Sequence, residues 1–411
     1  MTSTEEKYIR KRIWKSRLQS IPFYMCRIFP ITKNKIVFCC IEGTTGYSCN
    51  PKYIAEEIIR QNKTNSENTF ELVWLVNDIS KSFPAEIKVV KNTLWNRAYQ
   101  LSTAKYWIDN SRKQLECRKR KRQIYIQTWH AKLGFKPTCL DRGASFSKIA
   151  YLVSKHDSDM VDYWLSNSDW YDKTLKTGSL YEGKVLRTGS PRCDILVRAC
   201  NDTDFKYEIK ESVCKENIIK VENIDNVHFV MYAPTFRGGS QGVDRTLSEK
   251  QHFPNFELLK KSLENRFGGT WIVLLRLHPQ MVVRDLLADV SNDIVLDISR
   301  VDDMYEVLAG CDAFVTDYSS AAFDAMVMKM PIFLYADDYE EYENERGKLL
   351  WNLRELPFPL AFNDAELNDT ITRFDEDRYR TEVEQLFTNT QMVETGNAAW
   401  KLTESIVGGF L

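Results

Sequence analysis

The sequence predicts an α/β protein of two doubly wound, Rossmann-type domains facing a cleft, preceded by a basic amphipathic segment. Three observations lead there. Short apolar runs alternate with helical stretches at the spacing of parallel strands joined by crossover helices. The alternation halts in a polar, lysine-rich stretch near residues 201–226 and then restarts. Finally, 411 residues with 43% apolar content exceed what one hydrophobic core comfortably holds.

In order along the chain, residues 1–30 interleave Lys7, Arg10, Lys11, Arg12, Lys15 and Arg17 with Ile9, Ile13, Trp14, Leu18, Ile21, Phe23, Tyr24 and Phe29. That pattern fits an anionic membrane surface, and equally a helix laid on its own domain with a solvated basic face. The first domain, 31–200, reads as strand Lys35 to Cys40, helix Pro51 to Gln61, strand Phe70 to Val76, helix Leu94 to Thr103, and strands Tyr106 to Asp109 and Ile124 to Thr128. It runs on to Val185-Leu186-Arg187 and the turn Gly189-Ser190-Pro191-Arg192. A basic run, Arg118 to Arg122, precedes the strand at Ile124 and reads as an exposed turn or as an aid in holding a polyanionic acceptor. The second domain, 201–385, opens with a linker and helix. It continues with strand Val227 to Tyr232, helix Phe256 to Phe267, strands Trp271 to Leu277 and Ile294 to Asp297, helix Asp302 to Ala309, strand Ala313 to Thr316, helix Ser320 to Met328 and strand Ile332 to Tyr335. A last helical stretch, about Glu382 to Val407, sets 386–411 apart.

Composition narrows the function classes. A formal net charge of −1 gives no global basic footprint, so nucleic acid is not the expected partner and anion recognition should be local. The ten cysteines are scattered without ligand spacing, which fits a reduced cytosolic protein. No apolar run reaches the ~20 residues of a membrane span, and the N-terminus lacks a signal-peptide core.

Polar clusters fall at the carboxyl ends of predicted strands, where an α/β site belongs. Gln127-Thr128-Trp129-His130 supplies an imidazole suited to proton transfer near neutral pH. Arg276 and His278, two residues apart, share one strand face. Thr235 and Arg237 add a hydroxyl and a guanidinium suited to phosphate oxygens. In Thr316-Asp317-Tyr318-Ser319-Ser320 a buried strand delivers Asp317 and the two serine hydroxyls to a helix N-terminus, where they can cap the helix or join it in holding an anion. Together these ends point to a phosphate-rich ligand. In the acidic stretch Asp337 to Glu343 a solvated helix start is one reading, and Glu341 meeting ribose hydroxyls or a polyol is the other. Asp302-Asp303 reads as a helix cap, and no metal site is evident.

Trp129-His130, Gly189-Ser190-Pro191-Arg192-Cys193-Asp194, Tyr232-Ala233-Pro234-Thr235-Phe236-Arg237, Arg276-Leu277-His278-Pro279 and Thr316 to Ser320, in this order, resemble the CDP-glycerol glycerophosphotransferase family of teichoic-acid and capsule synthesis. The resemblance spans residues 100–365. It implies a GT-B fold, with the acceptor side N-terminal and a CDP-alditol, CDP-glycerol or CDP-ribitol, held mainly by the C-terminal domain. It also implies transfer of a polyol phosphate to a lipid-linked or polyol-phosphate acceptor, with release of CMP, at the cytoplasmic face of the membrane. Carried over by position, His130 is the base for the acceptor hydroxyl and His278 lies at the donor pyrophosphate. Thr235, Arg237, Arg276, Asp317, Ser319 and Ser320 bind donor, and Arg192 and Asp194 support the site. The family often has Trp-His-Gly-Thr-Pro-Leu-Lys where this chain has Trp129-His130-Ala131-Lys132-Leu133-Gly134-Phe135-Lys136, which bears on acceptor identity. No cofactor is expected, with divalent-cation dependence left open. The alternatives are a nucleotide-sugar glycosyltransferase of the same fold and a non-catalytic nucleotide-binding protein of polymer assembly.

Overall fold

The computed structural model describes residues 3–64, 69–217, 223–235, 253–277 and 294–411. The chain forms two compact units, each with one parallel sheet. Residues 1–132, 137–194 and 392–411 make the first, and 133–136 with 195–391 make the second.

The first sheet contains β1 (Thr32–Cys39), β2 (Glu71–Val76), β3 (Ile87–Lys91), β4 (Ala104–Asp109), β5 (Ile124–Gln127), β6 (Tyr163–Ser166) and β7 (Lys184–Arg187), in the order β3-β2-β1-β4-β5-β6-β7. The buried stretches of its inner strands are rich in apolar residues because both faces are covered. In β1, Val37 and Cys39 join one core with Val73, Leu75, Trp107, Tyr125 and Trp164. Ile36 and Phe38 join the other with Leu72, Trp74, Ile108, Ile126 and Leu165. Helix Leu94–Thr103 closes the first face through Ala98 and Leu101, and helix Cys49–Thr64 closes the second through Ile54, Ala55 and Ile58. The sequence does not delimit β3, because this edge strand exposes Lys88 and Lys91 and so lacks an apolar run.

The N-terminal segment is helical over Ser3–Gln19 and Ile21–Met25. Ile9, Phe23 and Cys26 are buried, whereas Trp14 is 63% and Ile28 82% exposed among the solvated Lys7, Arg10, Lys11, Lys15 and Arg17. The segment therefore has a packed side and also an apolar surface left in water. The basic run at Arg118 is a half-buried turn: Lys119 pairs with Asp162, and Arg120 Nη1 donates to the carbonyls of Phe29 (2.8 Å) and Ser102 (3.2 Å). Only Lys121 and Arg122 of the five are exposed.

The expected last helix is two helices, Glu376–Thr390 in the second unit and Ala398–Val407 in the first, parted at Gln391, whose φ is +51°. Residues 386–411 are thus not one element. Leu402 and Ile406 complete the second core of the first sheet, which an isolated terminal helix would not do. The Asp194 carboxylate caps this helix by accepting the N–H groups of Ala398 (2.9 Å) and Ala399 (2.8 Å). The turn carrying Asp194 needs its glycine: Gly189 has φ +96°, and a Cβ there would meet Glu394 Oε2 at 2.8 Å and Val393 O at 2.9 Å.

The second sheet contains β8 (Val227–Tyr232), β9 (Thr270–Leu275), β10 (Val295–Asp297), β11 (Ala313–Thr316), β12 (Ile332–Tyr335) and β13 (Leu360–Ala361), in the order β10-β9-β8-β11-β12-β13. The sequence does not mark β13, which is only two residues long. Leu133–Lys136, shortly after His130, belongs to this unit. Phe135 is fully buried with its ring 4.8 Å from that of Phe323, and its carbonyl accepts the Leu350 N–H at 2.8 Å. Among the described residues no helix is long and apolar enough to cross a membrane.

Candidate functional site

In an open parallel sheet the ligand crevice lies beyond the strand carboxyl ends, where the strand order reverses. That point falls between β1 and β4 in the first sheet and between β8 and β11 in the second.

Beyond β1 the backbone turns through two left-handed non-glycine residues, Ile41 (φ +43°) and Glu42 (φ +56°). Such conformations cost about 1–3 kcal/mol each and persist where their surroundings enforce them. Here the end of β4 does so: Ile41 N–H donates to Asn110 Oδ1 (2.8 Å) and Glu42 N–H to Ser111 Oγ (2.9 Å). His130 follows β5, the next strand over, and its Nδ1 donates to the Asn110 carbonyl at 2.7 Å. A carbonyl can only accept, so Nδ1 carries the proton and Nε2 is the basic nitrogen. Burial holds the imidazole pKa below its ordinary value; the bond to Asn110 and nearby Cys49 oppose this, and the Arg192 charge adds to it. A neutral imidazole at pH 7 follows. The Trp129 ring stacks on it with centroids 4.7 Å apart.

Arg192 is 6% exposed, and its Nη1 lies 3.4 Å from Cys49 Sγ at the start of helix Cys49–Thr64. Burial alone would push the Cys49 thiol up, but hydrogen bonding with Cys40 and the Arg192 guanidinium bring it down to about 5. Asp194, expected beside Arg192 as site support, spends both oxygens on the C-terminal helix. Burial raises its carboxyl pKa to about 6 despite those bonds.

In the second sheet the ends of β8 and β11 are tied together. Ala233 N–H donates to the Val315 carbonyl (3.1 Å), and Thr316 Oγ1 donates to the Ala233 carbonyl (2.6 Å). The Asp317 carboxylate accepts the Thr235 N–H through both oxygens, at 2.8 and 2.9 Å, and the Tyr318 N–H at 2.5 Å. Asp317 is 2% exposed, so its negative charge sits inside the loop and shapes it. The Tyr318 ring stacks on Tyr342 at 4.0 Å, and its hydroxyl donates to Asp338 (2.9 Å).

The two serines differ in what they bond. Ser319 Oγ accepts the Ala321 N–H at 3.3 Å, whereas Ser320, at the N-cap position, makes no side-chain cap bond. The helix they open is short, Ala321–Ala325 with a 3₁₀ turn at Met326–Met328, in place of the single helix expected. Arg276 lies just past β9, which ends at Leu275. Its Nη1 donates to the carbonyls of Ile298 (2.9 Å), Ser299 (3.0 Å) and Val301. Glu341 is exposed on helix Tyr339–Arg346. Arg237 and His278 lie outside the described residues. Asp303 caps its helix through the Tyr305 N–H (3.1 Å), and among the described residues no group of three His, Cys, Asp or Glu is placed to hold a metal ion.

The structure thus gathers Thr235, Asp317, Ser319 and Ser320 around one pair of strand ends, and sets His130 and Arg192 around another. Asn50, Asn110 and Cys49, which the sequence does not single out, complete the second group. The only local signal was polarity directly after β4 and at the start of the helix after β1.

A model of the CDP-glycerol:poly(glycerophosphate) glycerophosphotransferase family matches residues 21–408. The teichoic acid poly(glycerol phosphate) polymerase of Staphylococcus epidermidis is 25% identical over 372 residues, covering 87% of this chain and 48% of that protein. The teichoic acid glycerol-phosphate transferase of Staphylococcus aureus is 29% identical over 387 residues, covering 91% and 93%. The chain therefore spans about half of the first relative and nearly all of the second. Among solved structures, a variant of the wall teichoic acid polymerase TagF soaked with CDPG superposes with a TM-score of 0.77 at 23% identity, covering 100% of this chain and 98% of that one.

Proposed function

Because this chain belongs to the CDP-glycerol:poly(glycerophosphate) glycerophosphotransferase family, we propose that it transfers glycerol phosphate, or another alditol phosphate, from a CDP-alditol to a hydroxyl of a lipid-linked or polyol-phosphate acceptor. In this reading the acceptor oxygen attacks the phosphorus that bears the glycerol. The pyrophosphate P–O bond breaks, CMP leaves with the bond pair, and the acceptor proton passes to His130. In this reading the first unit serves the acceptor and the second the donor.

The observation that carries the reading is the pose of His130. With Nδ1–H committed to the Asn110 carbonyl and its pKa lowered by burial, Nε2 is a free-base nitrogen at neutral pH, as a general base requires. On the donor side the Thr235 to Ser320 loops supply backbone and hydroxyl groups for the phosphates, and Arg237 and His278 are assigned there from the family motifs. Glu341, exposed on its helix, is assigned to ribose or polyol hydroxyls on position alone. Positioning and charge carry most of a phosphoryl transfer, and we assign no resident cofactor. Turnover that persists after thorough chelation supports that assignment, and loss restored by one divalent ion overturns it.

The test is CMP release from CDP-glycerol with a glycerophosphate-primed acceptor, comparing the native chain with folded His130→Ala. Loss of about 10²–10⁴ in rate supports His130 as base; undiminished turnover removes it. The lipid-linked acceptor would be met at an anionic membrane surface through the exposed Trp14, Ile28 and basic side chains of the N-terminal segment. Equal liposome sedimentation by a chain lacking residues 1–30 overturns that assignment.

A further inference from the structure

The turn that presents His130 is strained and has to be held. Trp129 adopts φ +49°, a region that side-chain-bearing residues avoid. Its N–H donates to Gln127 Oε1 at 3.0 Å, which fixes one side of the residue. The carbonyl on the other side belongs to the Trp129–His130 peptide, so whatever holds that oxygen sets the plane from which the imidazole projects. Asn50 Nδ2 donates to it at 2.7 Å, with a longer 3.4 Å contact to the Thr128 carbonyl. Asn50 Oδ1 accepts the Arg192 N–H at 3.1 Å. One side chain, 1% exposed, thus joins the helix after β1, the turn after β5 and the turn after β7. A buried polar group that loses such a partner costs stability.

We infer that Asn50 is a positioning residue for the transfer: it orients the Trp129–His130 peptide so that His130, anchored at the Asn110 carbonyl, holds Nε2 toward the acceptor hydroxyl. It touches no substrate itself. Both polar ends of the amide are required, one as donor to the His130 turn and one as acceptor from the Arg192 turn. This rests on the reading of His130 as the base. An aspartate at 50 keeps the shape and the acceptor but, when ionised, sets an oxygen against the Trp129 carbonyl. When protonated it regains a donor.

The experiment compares Asn50→Ala, Asn50→Asp and His130→Ala, each checked for the native circular-dichroism spectrum, for CMP release and for equilibrium binding of CDP-glycerol. Misplacing a catalytic group by about an ångström costs on the order of a hundredfold. The expected result is a fall in kcat of that size in Asn50→Ala with CDP-glycerol binding within twofold of native. In Asn50→Asp, turnover relative to the native chain should rise as pH falls, opposite to the effect of protonating His130. A native kcat in both folded Asn50 variants overturns the inference, as does a loss of CDP-glycerol binding equal to the loss of kcat. Should His130→Ala retain turnover, the base assignment itself fails, an outcome distinct from Asn50 variants staying active while His130→Ala is dead.

Discussion

Replacing Asp317 with alanine should open the loop after β11, which this carboxylate ties to the segment after β8. The carboxylate accepts Thr235 N–H through both oxygens, at 2.8 and 2.9 Å, and also takes Tyr318 N–H. Thr235 is 8% and Tyr318 0% exposed, so neither amide can turn to water without the loop moving. Each buried donor left without its acceptor costs about 1–3 kcal/mol, which puts the pair at roughly 3 kcal/mol if the loop relaxes in part. At about 1.4 kcal/mol per decade, that is on the order of a hundredfold less protection for the two amides. Hydrogen exchange resolved to Thr235 and Tyr318 reads it directly, and the KM for CDP-glycerol should rise in parallel. Asp317→Asn, which keeps one accepting oxygen, should fall between. Protection within threefold of native in Asp317→Ala would refute the idea that this carboxylate holds the loop.

Three further outcomes follow from buried charges and thiols. Asp312 meets Lys206 and Lys210 at 2.8 Å each. Burial would raise its carboxyl, but His228 and the two lysines hold it well below the ordinary range. A depressed carboxyl stabilises the fold above its unfolded pKa, and that stability goes as pH falls through the folded value. Asp312→Ala should therefore lose about 3–5 kcal/mol at pH 7 in urea unfolding, with the gap to native narrowing in acid. Cys49, with its thiol near 5, should be alkylated by iodoacetamide at pH 6, while Cys39 and Cys117, pushed up to about 12 by burial, should not. Peptide mapping after a short pulse distinguishes them. Asp194→Ala should remove the cap on helix Ala398–Val407, costing about 1–2 kcal/mol and speeding proteolytic release of residues 392–411.

Much of the fold was legible because buried parallel strands must be apolar on both faces. Val227–Tyr232, Ala313–Thr316 and Ile332–Tyr335 have the bounds their apolar runs suggest, as do helices Leu94–Thr103 and Phe256–Phe267. The edge strand Ile87–Lys91 was not legible, because its lysines face water, and the terminal helix was misplaced because only its packing shows which unit it completes. Site residues carried by motif could be named from the sequence, but their partners could not. That Asn110 stands beside Ile41 depends on β1 pairing with β4, a pairing of strands about seventy residues apart. Asn50 is similar, since its partners at Trp129 and Arg192 come together only when the sheet is assembled. Of the two serines, the sequence could not say which one closes the turn; the hydrogen bond from Ala321 gives that part to Ser319.

The most direct test of the central claim is a donor screen on the purified chain with a glycerophosphate-primed acceptor. It compares CDP-glycerol, CDP-ribitol and nucleotide sugars, with the released nucleotide and the product mass both measured. The account expects CMP, released one for one with alditol-phosphate units added to the acceptor. Release of UDP or GDP with a sugar added, or no turnover of either CDP-alditol, would contradict it.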